Sequence, residues 1–227
     1  FVQDPSAPDI FLHKPIEIPR GLHIKTYLQG LVPRAKDGQL ASALLSIMRR
    51  KKLDPKSDNV NTIFTTSLYE IAETLFKKYP THDSTLTGIY NGLARLRMVT
   101  LTHFTTKGEW HLGGILNNSF ALILTANKEI KLYMDTKYIE MAKDNYINTE
   151  PIFYKLTHEI DINVYQYLRN ATSFNKFGIL QKTDMRQIYV WQGLGGINSK
   201  DTPDWRKRQV MEGSLERLKG LEVIKNT

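Results

Sequence analysis

The stretch Ser84–Trp110, STLTGIYNGLARLRMVTLTHFTTKGEW, changes its period halfway along. Leu86, Ile89, Tyr90, Leu93 and Leu96 recur every three or four residues, the spacing of one face of a helix. From Met98 the pattern alternates: MVTLTHF (98–104) reads as a half-buried strand, KGE (107–109) can turn, and WHLGGILNNSFALIL and IKLYMD continue as strands. A helix therefore runs straight into a hairpin.

Two further helices precede it. From Gly38, the residues Leu40, Leu44, Leu45 and Met48 share a helical face, and RRKK (49–52) suits the negative end of that helix dipole better than it suits a DNA patch. A second helix is predicted from Thr66 or Ser67, where Ser67 and Glu70 have capping-box spacing; Leu68, Ile71, Ala72, Leu75 and Phe76 form its apolar side and it stops before Pro80. Three helices followed by a hairpin is the order of a winged helix, the second and third helices making the helix-turn-helix and the hairpin the wing. The order recurs downstream. TKYIEMAKDNY (136–146) is a predicted connecting helix, and THEIDINVYQYLRNATSF (157–174) is a long helix with Ile160, Val164, Tyr167, Leu168 and Ala171 inward. GILQ reads as a strand, TDMRQIYVW as a short helix, and a helix to Lys219 closes on Gly220 before the strand-like LEVIK. The expected fold class is α+β, two tandem winged-helix domains. Residues 1–30, with Pro5, Pro8, Pro15 and Pro19, form an extended arm with a short strand around Leu22–Leu28; residues 31–146 hold the first winged helix with its connecting helix, and 147–227 the second.

Composition narrows the partner. At 227 residues, 41% hydrophobic and 24% charged, the chain is a folded globular protein without an apolar run of membrane-spanning length. It opens on Phe1 without an apolar leader region, so a cytoplasmic protein is expected. With no cysteine it has neither disulfides nor thiolate chemistry. Lys and Arg number 31 against 23 Asp and Glu, a net charge of +8, which favours a polyanionic partner over mere solubility if the charge is concentrated where a duplex can reach it.

GLGGINSKDTPDWRKRQ (193–209) is where it concentrates. Three glycines ahead of a lysine invite a phosphate-loop reading, but that loop needs Gly directly before Lys and Ser or Thr after it; here Ser199 precedes Lys200 and Asp201 follows. Gly193, Gly195 and Gly196 are turn residues instead. Thr202 can cap the next helix, Pro203 fits its first turn and Asp204 complements its dipole. With Met211, Leu215 and Leu218 buried, Arg206 and Gln209 fall on the open side and Trp205, Lys207 and Arg208 around the rim. Arg can pair with guanine, Gln with adenine and Lys with phosphate, so this is the expected recognition helix, with Lys200 beside it. Its counterpart in the first half is less basic: Ser84, Thr85, Thr87 and Asn91 offer hydrogen bonds, Arg95 and Arg97 can meet a DNA backbone, and Lys107 sits at the wing tip.

No catalytic constellation appears. His13, His23, His82, His103, His111 and His158 are scattered without metal-ligand spacing, and Asp135, Glu140 and Asp144 do not gather. Tyr165 and Tyr167 lack the metal ligands a nicking enzyme would set beside its tyrosine. The expectation is a protein that is not an enzyme and needs no cofactor or metal.

LYMDTKYIEMAKDNY (132–146) with FYKLTHEIDINVYQYLRNATSF (153–174) resembles the centre of iteron-binding plasmid replication initiators. The tail IYVWQGLGGINSKDTPDWRKRQVMEGSLERLKGLEVI (188–224) is similar to the end of IncQ-type and TrfA-like initiators: a Tyr-x-Trp, a spacer, a basic cluster, a leucine-bearing helix and a closing strand. The resemblance spans roughly residues 65–225. It implies a protein that binds direct repeats of a plasmid origin as double-stranded DNA, promotes melting of adjacent AT-rich sequence, recruits host replication proteins such as initiator and helicase, and can form a homodimer through its first winged helix. By the resemblance, Trp205, Arg206, Lys207, Arg208 and Gln209 lie on the second recognition helix. The Gly-rich spacer before Asp201 is longer than a compact helix-turn-helix requires. A winged-helix transcriptional repressor is the alternative in the same binding class, and a nicking enzyme the alternative outside it.

Overall fold

The computed structural model describes residues 11–18, 26–51, 61–77, 80, 82–104, 110–116, 123–136, 138–139, 151–165 and 203–223. The chain divides into two compact units, one drawn chiefly from residues 9–146 and the other chiefly from 147–227. The fold is mixed α+β with small antiparallel sheets, and is winged-helix-like.

In the first unit, strands β1 (Phe11–Ile18) and β2 (Thr26–Leu31) lead to helix α1 (Ala35–Arg50). Strand β3 (Asn61–Ser67) passes without a gap into α2 (Leu68–Phe76), and α3 (Asp83–Met98) into β4 (Val99–Phe104). Strands β5 (Trp110–Gly113), β6 (Ile123–Leu124) and β7 (Glu129–Asp135) follow. They form two sheets, ordered β1-β2-β4-β5 and β3-β7-β6, with every neighbouring pair antiparallel. The predicted wing is the hairpin β4–β5, with Phe104 opposite Trp110.

Local chemistry explains the joints. Ser67 caps α2, its hydroxyl accepting from the Glu70 amide at 3.0 Å. The Glu70 carboxylate does not complete the box but turns to the Thr66 hydroxyl at 2.7 Å and the Lys51 ammonium at 2.9 Å. Lys51 also donates to the Thr65 carbonyl, and Arg50 to the Thr74 hydroxyl, so the basic end of α1 is tied to α2 and its approach strand. The helices then bury a common interior: Leu40, Leu44, Ile47 and Met48 of α1, Leu68, Ile71, Ala72 and Leu75 of α2, and Leu86, Ile89, Leu93 and Leu96 of α3. β7 adds Ile130, Leu132 and Met134 at alternate positions.

Several sequence expectations change. The first thirty residues were expected to be an arm with one strand near Leu22–Leu28; instead β1 and β2 form a hairpin, and β2 pairs along β4. Gly30 makes that pairing possible: it has φ +91°, and a Cβ there would overlap the Met98 carbonyl oxygen. β3 is also additional to the prediction. Its polar Thr62 and Thr66 are buried while Ile63 is 50% exposed, so hydrophobicity does not mark its faces.

In the second unit a 3₁₀ turn (Pro151–Lys155) precedes helix α4, described over residues 159–165, and helix α5 (Asp204–Gly220) ends the described region. Phe153, Leu156, Ile160, Ile162, Val164 and Tyr165 share a core with Met211 and Leu218 of α5. Phe153 and Tyr165 stack with ring centres 5.4 Å apart. Leu221–Val223, expected as strand, form a turn after α5. The predicted GILQ strand, the TDMRQIYVW helix and the Gly-rich spacer lie outside the described residues.

Candidate nucleic-acid interface

The two candidate recognition helices share a plan: one stripe is buried against the unit and the opposite face is open. α5 buries Met211, Ser214 and Leu218, with Val210 and Leu215 packed at the margin. It begins at Asp204 with Pro203 in the N-cap position and no side-chain cap; Thr202, the expected cap, lies outside the described residues. Trp205 is 65% exposed, far more than an aromatic side chain serving the core. Arg206 and Gln209 are exposed, as the periodicity predicts, and Arg208, expected at the rim, is exposed with them. Lys207 differs from its neighbours. It lies toward the packed side, and its ammonium contacts the Asp204 carboxylate at 3.3 Å.

The open face of α5 is not uniform along its length. Beyond Gln209 it carries Glu212 and Glu216, both exposed, where a phosphate backbone would be repelled. The exposed Arg206, Arg208 and Gln209 therefore lie at the amino-terminal turns of α5, the part of the helix that a helix-turn-helix presents to base edges.

On α3, Ser84, Thr87 and Asn91 are exposed at positions that share a face, and Thr85 is half-buried. Gly88 lies in the same row with nothing within 4 Å of where a Cβ would be, leaving bare backbone open to a close approach. The Thr87 hydroxyl donates to the Asp83 carbonyl at 3.0 Å and keeps acceptor capacity outward.

Arg95, expected to meet phosphate, has a different partner. Its guanidinium donates from Nε and Nη2 to both carboxylate oxygens of Asp37 on α1, each at 2.8 Å, and the Asp37 side chain is 2% exposed. The fork is held inside the unit. Arg217 of α5 makes the same bidentate bond to Asp161 of α4, at 2.7 and 2.8 Å. Hydrogen bonding to Asp161 outweighs partial burial and raises the Arg217 pKa, so the guanidinium keeps its charge. Sequence reading missed both pairs, because no local pattern links an Asp to an Arg more than fifty residues later.

Lys107 and Lys200 lie outside the described residues. Among the described residues no three His, Asp or Glu side chains gather as a metal site, and no helix is long and apolar enough to cross a membrane.

No protein-family model and no curated protein matches the sequence. Among solved structures, a crystal structure of a selenomethionine derivative of domains 2 and 3 of RctB is similar, with TM-score 0.52 and 11% identity over 83% of this chain and 78% of that one. A second crystal structure of RctB domains 2-3 gives TM-score 0.48 and 11% identity over 83% and 77%. At this identity the likeness is one of fold: the chain shares its architecture with RctB domains 2 and 3.

Proposed function

We propose that this protein is a replication initiator that binds direct repeats of a plasmid origin as double-stranded DNA, without enzymatic activity of its own. The single observation that supports it most is the first turns of α5. Trp205, Arg206, Arg208 and Gln209 stand exposed there while Met211, Ser214 and Leu218 anchor the helix from behind. An arginine and a glutamine one turn apart are the side chains that pair with guanine and adenine edges, and Arg208 can reach phosphate. The net charge of +8 supplies attraction to any duplex, and the anchored helix supplies selection among duplexes.

The sequence resemblance to iteron-binding initiators and the fold shared with RctB domains 2 and 3 favour initiation over repression. In this reading each unit sets one helix in a major groove of the repeat. Bound protein then promotes melting of neighbouring AT-rich DNA and recruits the host initiator and helicase, and a homodimer through the first unit is the alternative form.

The test is a footprint on the origin that the chain serves, with gel shifts on repeat-containing and scrambled duplexes of equal length. Protection of an array of direct repeats, bound well above scrambled DNA, is expected; equal binding to both would sink the proposal. Incubation of supercoiled origin DNA with protein and magnesium or manganese is expected to leave it supercoiled, and relaxed product would make the protein an enzyme.

A further inference from the structure

The two buried Asp–Arg pairs occupy equivalent places. Asp37 is the third residue of α1, which begins at Ala35; Asp161 is the third residue of α4, which begins at residue 159. Arg95 stands three residues before the end of α3 at Met98, and Arg217 three before the end of α5 at Gly220. The partners are 58 residues apart in the first unit and 56 in the second.

Aligning the pairs brings the surroundings into register. Ile89 and Leu96 then match Met211 and Leu218, all buried, and the small buried Gly92 matches the small buried Ser214; the match stops one turn earlier, where buried Leu86 corresponds to exposed Arg208. On the first helices the buried polar Gln39 matches the buried polar Asn163, and buried Leu40 matches buried Val164. Similarity of element order alone does not demand any of these matches.

We propose that the two pairs are one positioning device occurring twice. Each fixes the angle at which its recognition helix leaves the first helix of the unit, and the register they define makes Arg206 and Gln209 the counterparts of Ser84 and Thr87. A bidentate fork constrains both distance and rotation, which a point-charge pair does not. Each arginine sits on the flank of the open face, one turn beyond Asn91 in α3 and beyond Gly213 in α5, so it controls the presentation of that face without itself meeting DNA. Two equivalent faces then carry different chemistry. The α5 face has a bidentate guanine reader and an amide where α3 has two hydroxyls. Discrimination between sequences belongs chiefly to α5, and α3 follows the groove with short side chains.

This inference rests on the DNA-binding reading above. The experiment starts by selecting duplexes from a randomised library with the unmodified chain, then measures affinity for the selected and a scrambled duplex. Arg217→Lys keeps the charge and removes the fork. It is expected to lower the ratio of selected to scrambled affinity by about tenfold, the size of one well-placed base contact. The equivalent Arg95→Lys is expected to lower the ratio less than about threefold, since short neutral side chains discriminate weakly. A merely structural role would reduce the folded fraction and scale both affinities together, leaving the ratio unchanged. Should Arg217→Lys fail to fold, Asp161→Glu, which keeps the pair but lengthens it by one methylene, replaces it. Converting the α5 face to that of α3 with R206S and Q209T is expected to remove most of the ratio while retaining scrambled-DNA binding within about tenfold. An unchanged ratio in the folded fork variant, or in the face exchange, overturns the inference alone. Failure of the unmodified chain to select any sequence overturns the DNA reading, and this with it.

Discussion

Helices α3 and α5 differ where they face outward and agree where they face inward. Inward, each buries apolar residues at matching positions and fastens an arginine to an aspartate on the first helix of its unit. Outward, α3 offers Ser84, Thr87, Gly88 and Asn91, none of them charged, whereas α5 offers Trp205, Arg206, Arg208 and Gln209. Packing tolerates few solutions, so the inner faces stay alike from Ile89 and Met211 onward and part only at the first turns, where buried Leu86 corresponds to exposed Arg208; the outer faces answer only to what they touch. The contrast separates holding a helix from using it.

The largest expected effect lies on the holding side. Asp37→Ala leaves the Arg95 guanidinium, 15% exposed, without its buried counter-ion, and should cost about 3–5 kcal/mol in urea unfolding. Asp161→Ala should cost less, about 1–2 kcal/mol, because the Arg217 side chain is 42% exposed and can turn to water. Equal costs would erase the distinction between the two forks.

On the using side, Arg206→Ala should weaken binding to the selected duplex by about 1–3 kcal/mol, and Ser84→Ala by under about 1 kcal/mol. Gel-shift titration measures both, and the reverse order would move base reading to α3. A finer probe is Gly88→Ala. The site has open space around it, so the helix should gain about 0.5–1 kcal/mol in thermal unfolding, while the added methyl stands where DNA would approach. Greater stability with weaker binding would sharpen the assignment of the α3 face; unchanged binding would withdraw it.

The smallest effect is a pH dependence confined to the first unit. Partial burial pushes the Glu70 carboxyl up, but hydrogen bonds from Lys51 and Thr66 together with the charges of Lys51 and Arg50 outweigh it and hold the group below its ordinary value. A carboxyl lowered in the folded state contributes stability above its unfolded pKa and loses it as pH falls through the folded one. Stability should therefore decline below about pH 4.5, and Glu70→Gln should flatten that decline in denaturation measured across the acid range.

Much of the scaffold was legible because it follows period and capping. The face Leu86, Ile89, Leu93 and Leu96, the Ser67 cap, the switch to strand after Met98, and the exposure of Arg206 and Gln209 all follow from spacing. β3 was hidden because two of its three buried positions, 62 and 66, hold threonine while Ile63 stands exposed, so only Phe64 marks the inner face. The β1–β2 hairpin was hidden by its prolines, which read as an irregular arm. Arg95 was harder to read. A charge on a helix is taken as solvent-facing, and only its buried partner Asp37 shows otherwise.

The pairing of β2 along β4 carries a practical consequence. With the amino-terminal hairpin in place, one border of the four-stranded sheet is β1, whose Pro15 lacks an amide hydrogen and whose register shifts between Leu12 and Ile16. A fragment trimmed to begin at Arg34 would remove that border and bare β4, VTLTHF, a run without proline or acidic residues. The hairpin acts as insulation, and a shortened protein prepared for crystallisation would be a candidate for self-association through the stripped strand.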